Sequence, residues 1–330
     1  MFLNTTANPA PKRRGATLLE VLIGFLILSV GAVSVFTLFP FAALTVSFAM
    51  KDDRTTTCAI TADAIIRDTH RQVVEAGDTG TTEPYHHLMD NPGDFARSPT
   101  GAASGLPPLT KLDSGPSYPV YVDPMGNVAG RGAVGDFGAA RVPRVTLGIV
   151  LNQPATVQQA FSQRLCSQMD GLSFDENGVV QPGVDMREMR YNFAWMLQRP
   201  SNRDRFTVRQ QVIVYDRRAH LYAPSGSEVV SGRGAVTLTP GETTITGVPL
   251  NFELRKGSWV MDAGDPEGGV LRHAEFYRVV SINEVAGSYT IEVHKPVTRP
   301  DGLPNGYNAR LVFISAIADV FERPLLTASN

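Results

Sequence analysis

The chain has 330 residues, enough to bury the core of one large domain or two small ones. Its formal net charge of -2, with 19% charged residues, excludes the whole-chain basic field that nucleic-acid binders use to attract phosphate, so no nucleic-acid partner is expected. Glycine (30) and proline (23) favour a loop-rich β protein over a helical bundle, and the two cysteines, Cys58 and Cys166, stand far apart in no metal-ligand spacing, so no metal site or cofactor is expected.

The first element is the segment MFLNTTANPAPKRRGATLLEVLIGFLILSVGAVSVFTLFPFAALTVSFAM. Residues 1 to 11 carry no charged side chain, and Lys12, Arg13 and Arg14 then form a basic cluster directly before Gly15. From Val21 to Met50 no charged residue occurs. At a rise of roughly 1.5 Å per residue that stretch spans about 45 Å as a helix, more than the roughly 30 Å hydrocarbon layer requires. The basic cluster ahead of it places the N-terminus in the cytoplasm and exports everything after Met50. The apolar run is about twice the length of a secretory signal core, so the helix is expected to stay with the protein. Glu20 sits at its start, where an ionised carboxylate near a bilayer centre would cost about 2.5 to 3.5 kcal/mol. It calls for a cationic partner.

KRRG followed by ATLLEVLIGFLIL resembles the cleavage and methylation motif of type IV prepilins: basic residues, glycine, a small or aromatic residue, Thr, Leu, an apolar residue, Glu and a long apolar helix. The resemblance covers residues 12 to about 45. It implies a leader at residues 1–15, a cut between Gly15 and Ala16 by a prepilin peptidase, and methylation of the new amine on Ala16, where phenylalanine is commoner. It also implies that Glu20 neutralises the amine of a neighbouring subunit as the helices pack. The expected partners are therefore the peptidase, other pilin or pseudopilin subunits, an inner-membrane assembly platform and lipid. The expected location is the inner membrane, single-pass, then a pilus or pseudopilus in the cell envelope.

The long helix is predicted over residues 16–75, with 21–45 crossing the membrane and Pro40 as the place for a kink or local melting. Its second half has an apolar stripe of Cys58, Ala62, Ile65, Thr69 and Val73. Residues 76–140 read as a Gly/Pro-rich loop region with one short strand at Tyr118 to Val122. A β-sheet head is expected over 141–222, with strands at Arg144–Leu151, Arg190–Leu197 and Phe206–Asp216. The last of these alternates well enough to predict a half-buried antiparallel sheet. A short helix is predicted at Pro154–Met169. Further strands are predicted at Val236–Leu238, Ser258–Met261, Phe276–Ile282 and Ser288–Val293. Residues 223–300 read equally as a second small β module or as continuation of the main sheet, before a final strand, Ala309–Ser315, and tail in 301–330. The fold class is α+β, a long N-terminal helix packed on an antiparallel head.

Catalysis finds no candidate site: hydrolase, metalloprotease, P-loop and dinucleotide motifs are all absent. Of six histidines the only close pair is His86-His87, and adjacent side chains on one extended loop diverge. The acidic turns Asp170–Gly178 and Asp262–Gly268 lack EF-hand spacing and read as solvated. Trp195 and Trp259 lie in strand patterns and read as core anchors. Pairing of Cys58 with Cys166 stays open against two buried, separate cysteines.

The expected function is that of a structural subunit, not an enzyme. The head is large for a major pilin and lacks a C-terminal cysteine pair, which favours a minor pilin or a type II secretion pseudopilin. The other class left open is a single-pass, membrane-anchored β-domain binding protein or enzyme whose N-terminus only imitates the motif.

Overall fold

The computed structural model describes residues 17–75, 89–90, 115–124, 134–137, 142–145, 190–216, 232–264, 272–285, 287–299, 303–314 and 316–327. The predicted helix at 154–169, the acidic turn at 170–178, Cys166, His86, His87 and His220 lie outside these residues. Helix α1 runs from Leu18 to Glu75 without a break at Pro40. Contacts divide the chain into Met1–Asp53 and Arg54–Asn330.

Within the first part, large apolar side chains are exposed all around α1: Phe36, Phe41 and Phe48 are 69%, 71% and 65% accessible. A helix apolar on every face needs lipid or other helices to cover it. This one is long and apolar enough to cross a membrane. Its hydroxyls do not oppose that. Ser29, Ser34, Thr37 and Thr45 each donate to a carbonyl three or four residues back, at 2.8 to 2.9 Å, and so present no unsatisfied donor.

In the second part, α1 buries one stripe made of Thr55, Cys58, Ala59, Ala62, Ile66, Thr69 and His70. Steps of three and four keep these on one face. The stripe differs from the predicted one: Ile66 is at its centre and Ile65 on its flank, while the side chain of Val73 is outside the described residues. Small and polar residues fill the contact, so hydrophobicity alone misplaces its phase.

The strands are β1 (Val120–Val122), β2 (Val134–Phe137), β3 (Val142–Val145), β4 (Tyr191–Gln198), β5 (Val208–Asp216), β6 (Gly232–Leu238), β7 (Thr244–Pro249), β8 (Trp259–Asp262), β9 (Glu275–Val285), β10 (Ser288–Val293), β11 (Tyr307–Phe313) and β12 (Ile317–Leu326). They form two six-stranded sheets, ordered β12-β5-β4-β1-β3-β2 and β6-β11-β8-β9-β10-β7. Among the described residues only the β1–β3 pair is parallel.

The first sheet lies between two layers. Phe193, Trp195, Leu197, Val212 and Val214 pack with Cys58, Ala62 and Ile66 of α1. The alternate residues Ala194, Met196, Ile213 and Tyr215 pack with Trp259, Met261, Phe276 and Val312 of the second sheet. Strands β4 and β5 are thus buried on both faces rather than half-buried as the alternation predicts. Gln210 and Gln211, which read as polar, are also buried; Gln210 donates to Asp63 of α1 and Gln211 to Glu275 of β9, at 3.2 Å for the latter.

The second sheet rolls up around its own apolar interior, to which every one of its strands contributes, including Val236, Ile245, Val260, Tyr277, Ile291 and Leu311. Its edge strands come together. A Cβ added at Gly234 of β6 would meet the Pro249 ring of β7 at 2.5 Å, so glycine is what allows the approach. Gly287, at φ 80°, turns the chain between β9 and β10 in a conformation that side chains disfavour.

The whole second sheet is inserted into a hairpin of the first. Strands β5 and β12 pair directly, and the backbone N–H of Asp216 donates to the carbonyl of Ala316 at 2.9 Å where the chain leaves and returns. The expected closing strand, Ala309–Ser315, is observed as β11 and belongs to the second sheet. The strand that returns to the first sheet, β12, carries Asp319, Glu322, Arg323 and Pro324, which hid it from a hydrophobic pattern. Strands β2 and β7 also went unpredicted. Ser288–Val293 is observed with the predicted bounds, and the described parts of the other predicted strands agree to within a few residues.

Candidate processing and assembly site

Lys12, Arg13, Arg14, Gly15 and Ala16 lie outside the described residues, which begin at Thr17. Thr17 caps α1. Its carbonyl accepts from the N–H groups of Glu20 at 2.9 Å and Val21 at 3.2 Å, and its hydroxyl accepts from the Glu20 N–H at 3.4 Å. A side-chain oxygen at this position satisfies one of the unpaired amides of a helix start, worth typically about 1 kcal/mol. Thr17-Leu18-Leu19-Glu20 has the spacing of a capping box. The Thr of the motif is thus also the cap of the helix, a second role that its spacing from Glu20 makes readable in the sequence.

Glu20 occupies the first turn of α1, where the helix dipole favours an anion. It is exposed, and it is the only charged residue from Leu18 to Met50. Its carboxylate therefore stands at the head of an apolar rod, available to a cation from outside the chain. Pro40, further along, leaves the Phe36 carbonyl without its intrahelical donor while the helix continues.

The head gathers charge in a different place, between the sheets. Glu275, 2% exposed, accepts from the Arg209 guanidinium at 2.7 and 3.0 Å and from the Lys295 ammonium. Lys295 also reaches Glu322 at 2.5 Å. Burial pushes the Glu275 carboxyl up, but the hydrogen bonds and charges of Arg209 and Lys295 outweigh it and hold the group below the ordinary carboxylate range. Arg209 is held above its ordinary value, because Glu275 overcomes the effect of its own burial.

Asp262 is a second buried carboxylate. The Tyr307 hydroxyl donates to it at 2.5 Å and the Gly264 N–H at 2.8 Å, and His273 Nε2 lies 3.3 Å away. This corrects the prediction of a solvated turn at its first residue; residues 265–268 are outside the described set. Burial drives the Tyr307 hydroxyl far up from its ordinary value, with the Asp262 charge adding to it. Burial likewise pushes Tyr277 up to about 12. These carboxylates are engaged by neighbouring side chains, an arrangement that cross-links strands. Among the described residues no group of three metal-ligating side chains occurs.

Trp195 is fully buried; its indole N–H donates to the carbonyl of Ala62 at 3.1 Å and its ring meets Phe193 edge-on. Trp259 is buried between the sheets. Both are core anchors, as their strand patterns predicted. Cys58 is fully buried beneath the first sheet.

Residues 10–36 match the family model of the prokaryotic N-terminal methylation motif, the prepilin signature of type IV pilins and pseudopilins. No curated protein matches the chain. Among solved structures, an endosialidase of phage phi92 is similar over 41% of this chain and 18% of its own, with 14% identity and a TM-score of 0.18, which carries no argument about fold or activity.

Proposed function

We propose that this chain, a bearer of the prepilin signature, is a structural subunit of a type IV pilus or of a type II secretion pseudopilus. A prepilin peptidase cuts it between Gly15 and Ala16 and methylates the Ala16 amine, and it then assembles through α1. The observation that carries this is the placement of one exposed carboxylate, Glu20, in the capped first turn of a helix apolar on all sides, inside the matched motif. Charge pairing between that carboxylate and a neighbour's amine makes the helix tolerable in an apolar bundle. Lys12, Arg13 and Arg14 hold the leader in the cytoplasm, and the head is exported across the inner membrane. Pro40 is the weakest point of the helix and the place where it would yield as subunits slide.

The large head, with its inserted second sheet, favours a minor pilin or pseudopilin over a major pilin, and Glu20 disfavours the tip position of a pseudopilus. Co-expression with a prepilin peptidase followed by intact-mass measurement is the test. Loss of residues 1–15 with one added methyl group is expected, and Gly15→Ala should abolish both. A full-length product in the presence of an active peptidase would leave a simple membrane-anchored protein instead.

A further inference from the structure

The connection from β10 to β11 holds a pair of residues whose chemistry lies in the backbone. It includes Leu303-Pro304-Asn305-Gly306, a turn composition. Asn305 and Gly306 are both exposed to water, and they stand just outside the ladder, since pairing of β11 with β6 begins at Tyr307 opposite Leu238. The Asn305 backbone carbonyl accepts from Arg299 Nη1 at 2.9 Å. Among the described residues the side-chain amide of Asn305 and the N–H of Gly306 make no hydrogen bond.

Packing places the glycine. A Cβ at Gly306 would meet the Leu238 carbonyl oxygen at 3.3 Å and the Thr237 methyl group at 3.6 Å, so a residue without one lets β11 start close against the end of β6. The same lack of a side chain leaves the Gly306 nitrogen unhindered next to the Asn305 amide.

We propose that Asn305-Gly306 is a self-modification site, at which Arg299 promotes conversion of the asparagine to isoaspartate and then pairs with the carboxylate created. The Gly306 nitrogen gives up its proton and attacks Asn305 Cγ. The new N–Cγ bond closes a succinimide ring, and the side-chain nitrogen takes up the proton and leaves as ammonia. Water then opens the ring. Opening at the former backbone carbonyl leaves the chain running through Cγ and frees that carbonyl as a carboxylate, which is isoaspartate; opening at Cγ gives aspartate. One water is consumed and one ammonia released, with no oxidant or reductant.

Arg299 acts at both stages through one contact. The oxygen it holds belongs to the peptide bond whose nitrogen attacks, so the guanidinium stabilises the charge that develops as the N–H proton leaves. In the ring the same oxygen marks the carbonyl that becomes the isoaspartate carboxylate, which is drawn toward attack by water and then left in an ion pair. Arg299 is itself held in place, its guanidinium 5.6 Å from the centre of the Tyr307 ring, whose hydroxyl is bound to Asp262. The exposed turn gains a negative charge, whatever the manner in which the subunit assembles.

Ageing of the full-length protein in detergent at mildly alkaline pH, followed by digestion and fragmentation that tells isoaspartate from aspartate, tests this. Asn305 should gain the mass difference between an amide and an acid, chiefly as isoaspartate. Arg299→Met should slow the conversion severalfold and move the product toward aspartate, while Arg299→Lys, which restores a cation, should keep part of both effects of the arginine. Asn177-Gly178, the other such pair in the sequence, is the internal reference and should not respond to Arg299. Arg299→Gln, which keeps a donor without the charge, repeats both readouts should Arg299→Met fail to fold. No conversion of Asn305 in the folded chain over the time in which a urea-unfolded sample converts would show that the fold protects the pair, and would overturn the proposal. So would an unchanged rate or product ratio without the arginine, or equal slowing at both pairs. None of these outcomes bears on the cut after Gly15, which intact mass reads separately.

Discussion

Arg209 on β5 and Glu275 on β9 are bound at two points, 2.7 and 3.0 Å, across the junction of the two sheets. Lys295 and Gln211 contact the same carboxylate. Removing only the charge, by Glu275→Gln, would leave two cations beside a neutral amide with Glu322 as their one shared carboxylate. Breaking a buried pair costs about 3 to 5 kcal/mol, and the partial exposure of Arg209 lowers the expectation to about 2 to 3 kcal/mol. Urea unfolding of the full chain in detergent measures this. Arg209→Met together with Glu275→Leu should lose less than the single Gln change, since no unpaired charge then remains.

Acid should weaken the head in two separate steps. The folded pKa of His70 is lowered, chiefly by burial, with its Nε2–H donated to the Phe206 carbonyl at 3.0 Å and Arg67 nearby. A depressed histidine binds its proton more readily when unfolded, so its contribution is complete above about pH 6.5 and is lost as pH falls through the folded value. Glu275, also depressed, contributes fully above the ordinary carboxylate range and is lost only below it. Melting temperature against pH should therefore decline first below about pH 6.5 and again in the strongly acid range. His70→Gln should reduce the first step, to which His294, also lowered chiefly by burial, contributes, and Glu275→Gln should reduce the second, to which Asp204 contributes.

Gly234 tests the closure of the rolled sheet. In Gly234→Ala the new methyl group would lie 2.5 Å from the Pro249 ring, which has no rotamer to escape by. Overpacking of this kind costs about 1 to 3 kcal/mol. Thermal unfolding of the variant should fall accordingly, and Gly234→Ala combined with Pro249→Ala should recover much of the loss. No loss in the single variant would mean that β6 and β7 do not meet.

Glu20 should matter after processing rather than before it. Glu20→Ala is expected to be cut at Gly15 like the parent chain, with a loss at the helix start of about 1 kcal/mol or less. The processed subunit should then be missing from the sheared surface fraction and accumulate in membranes, whereas Glu20→Asp should retain part of the incorporation. Normal incorporation of Glu20→Ala would deny the carboxylate its pairing role.

How far the sequence discloses this molecule depends on whether a residue's own chemistry decides its place. The apolar run after Glu20 is dictated by water and is legible, and the alternation of Phe206–Asp216 discloses a strand but not its burial on both faces. Strand β12 is not. It is an edge strand paired on one side, with register shifts and a proline, so tertiary pairing rather than composition makes it a strand. Glu275 is similar: a charge at a strand's first position reads as the strand's limit, and Arg209 and Lys295, both distant in sequence, make its burial tolerable. The cap at Thr17 was within reach, because Thr-x-x-Glu before an apolar run is a recognisable helix start.

That cap has a consequence for maturation. A cut after Gly15 exchanges three basic side chains, Lys12, Arg13 and Arg14, for one amine on Ala16, next to the residue that caps the helix. Methylation would leave that amine cationic. A single positive charge would then stand at the positive pole of α1, where amide N–H groups already point outward. Within the next thirty or so residues the chain has one carboxylate to offset it. The mature helix would thus be electrostatically frustrated as long as it is alone, and relieved when stacked helices share their amines and carboxylates. Proteolysis, on this view, does more than release the leader: it would leave one amine and one carboxylate per chain, a matched pair that neighbouring helices could share.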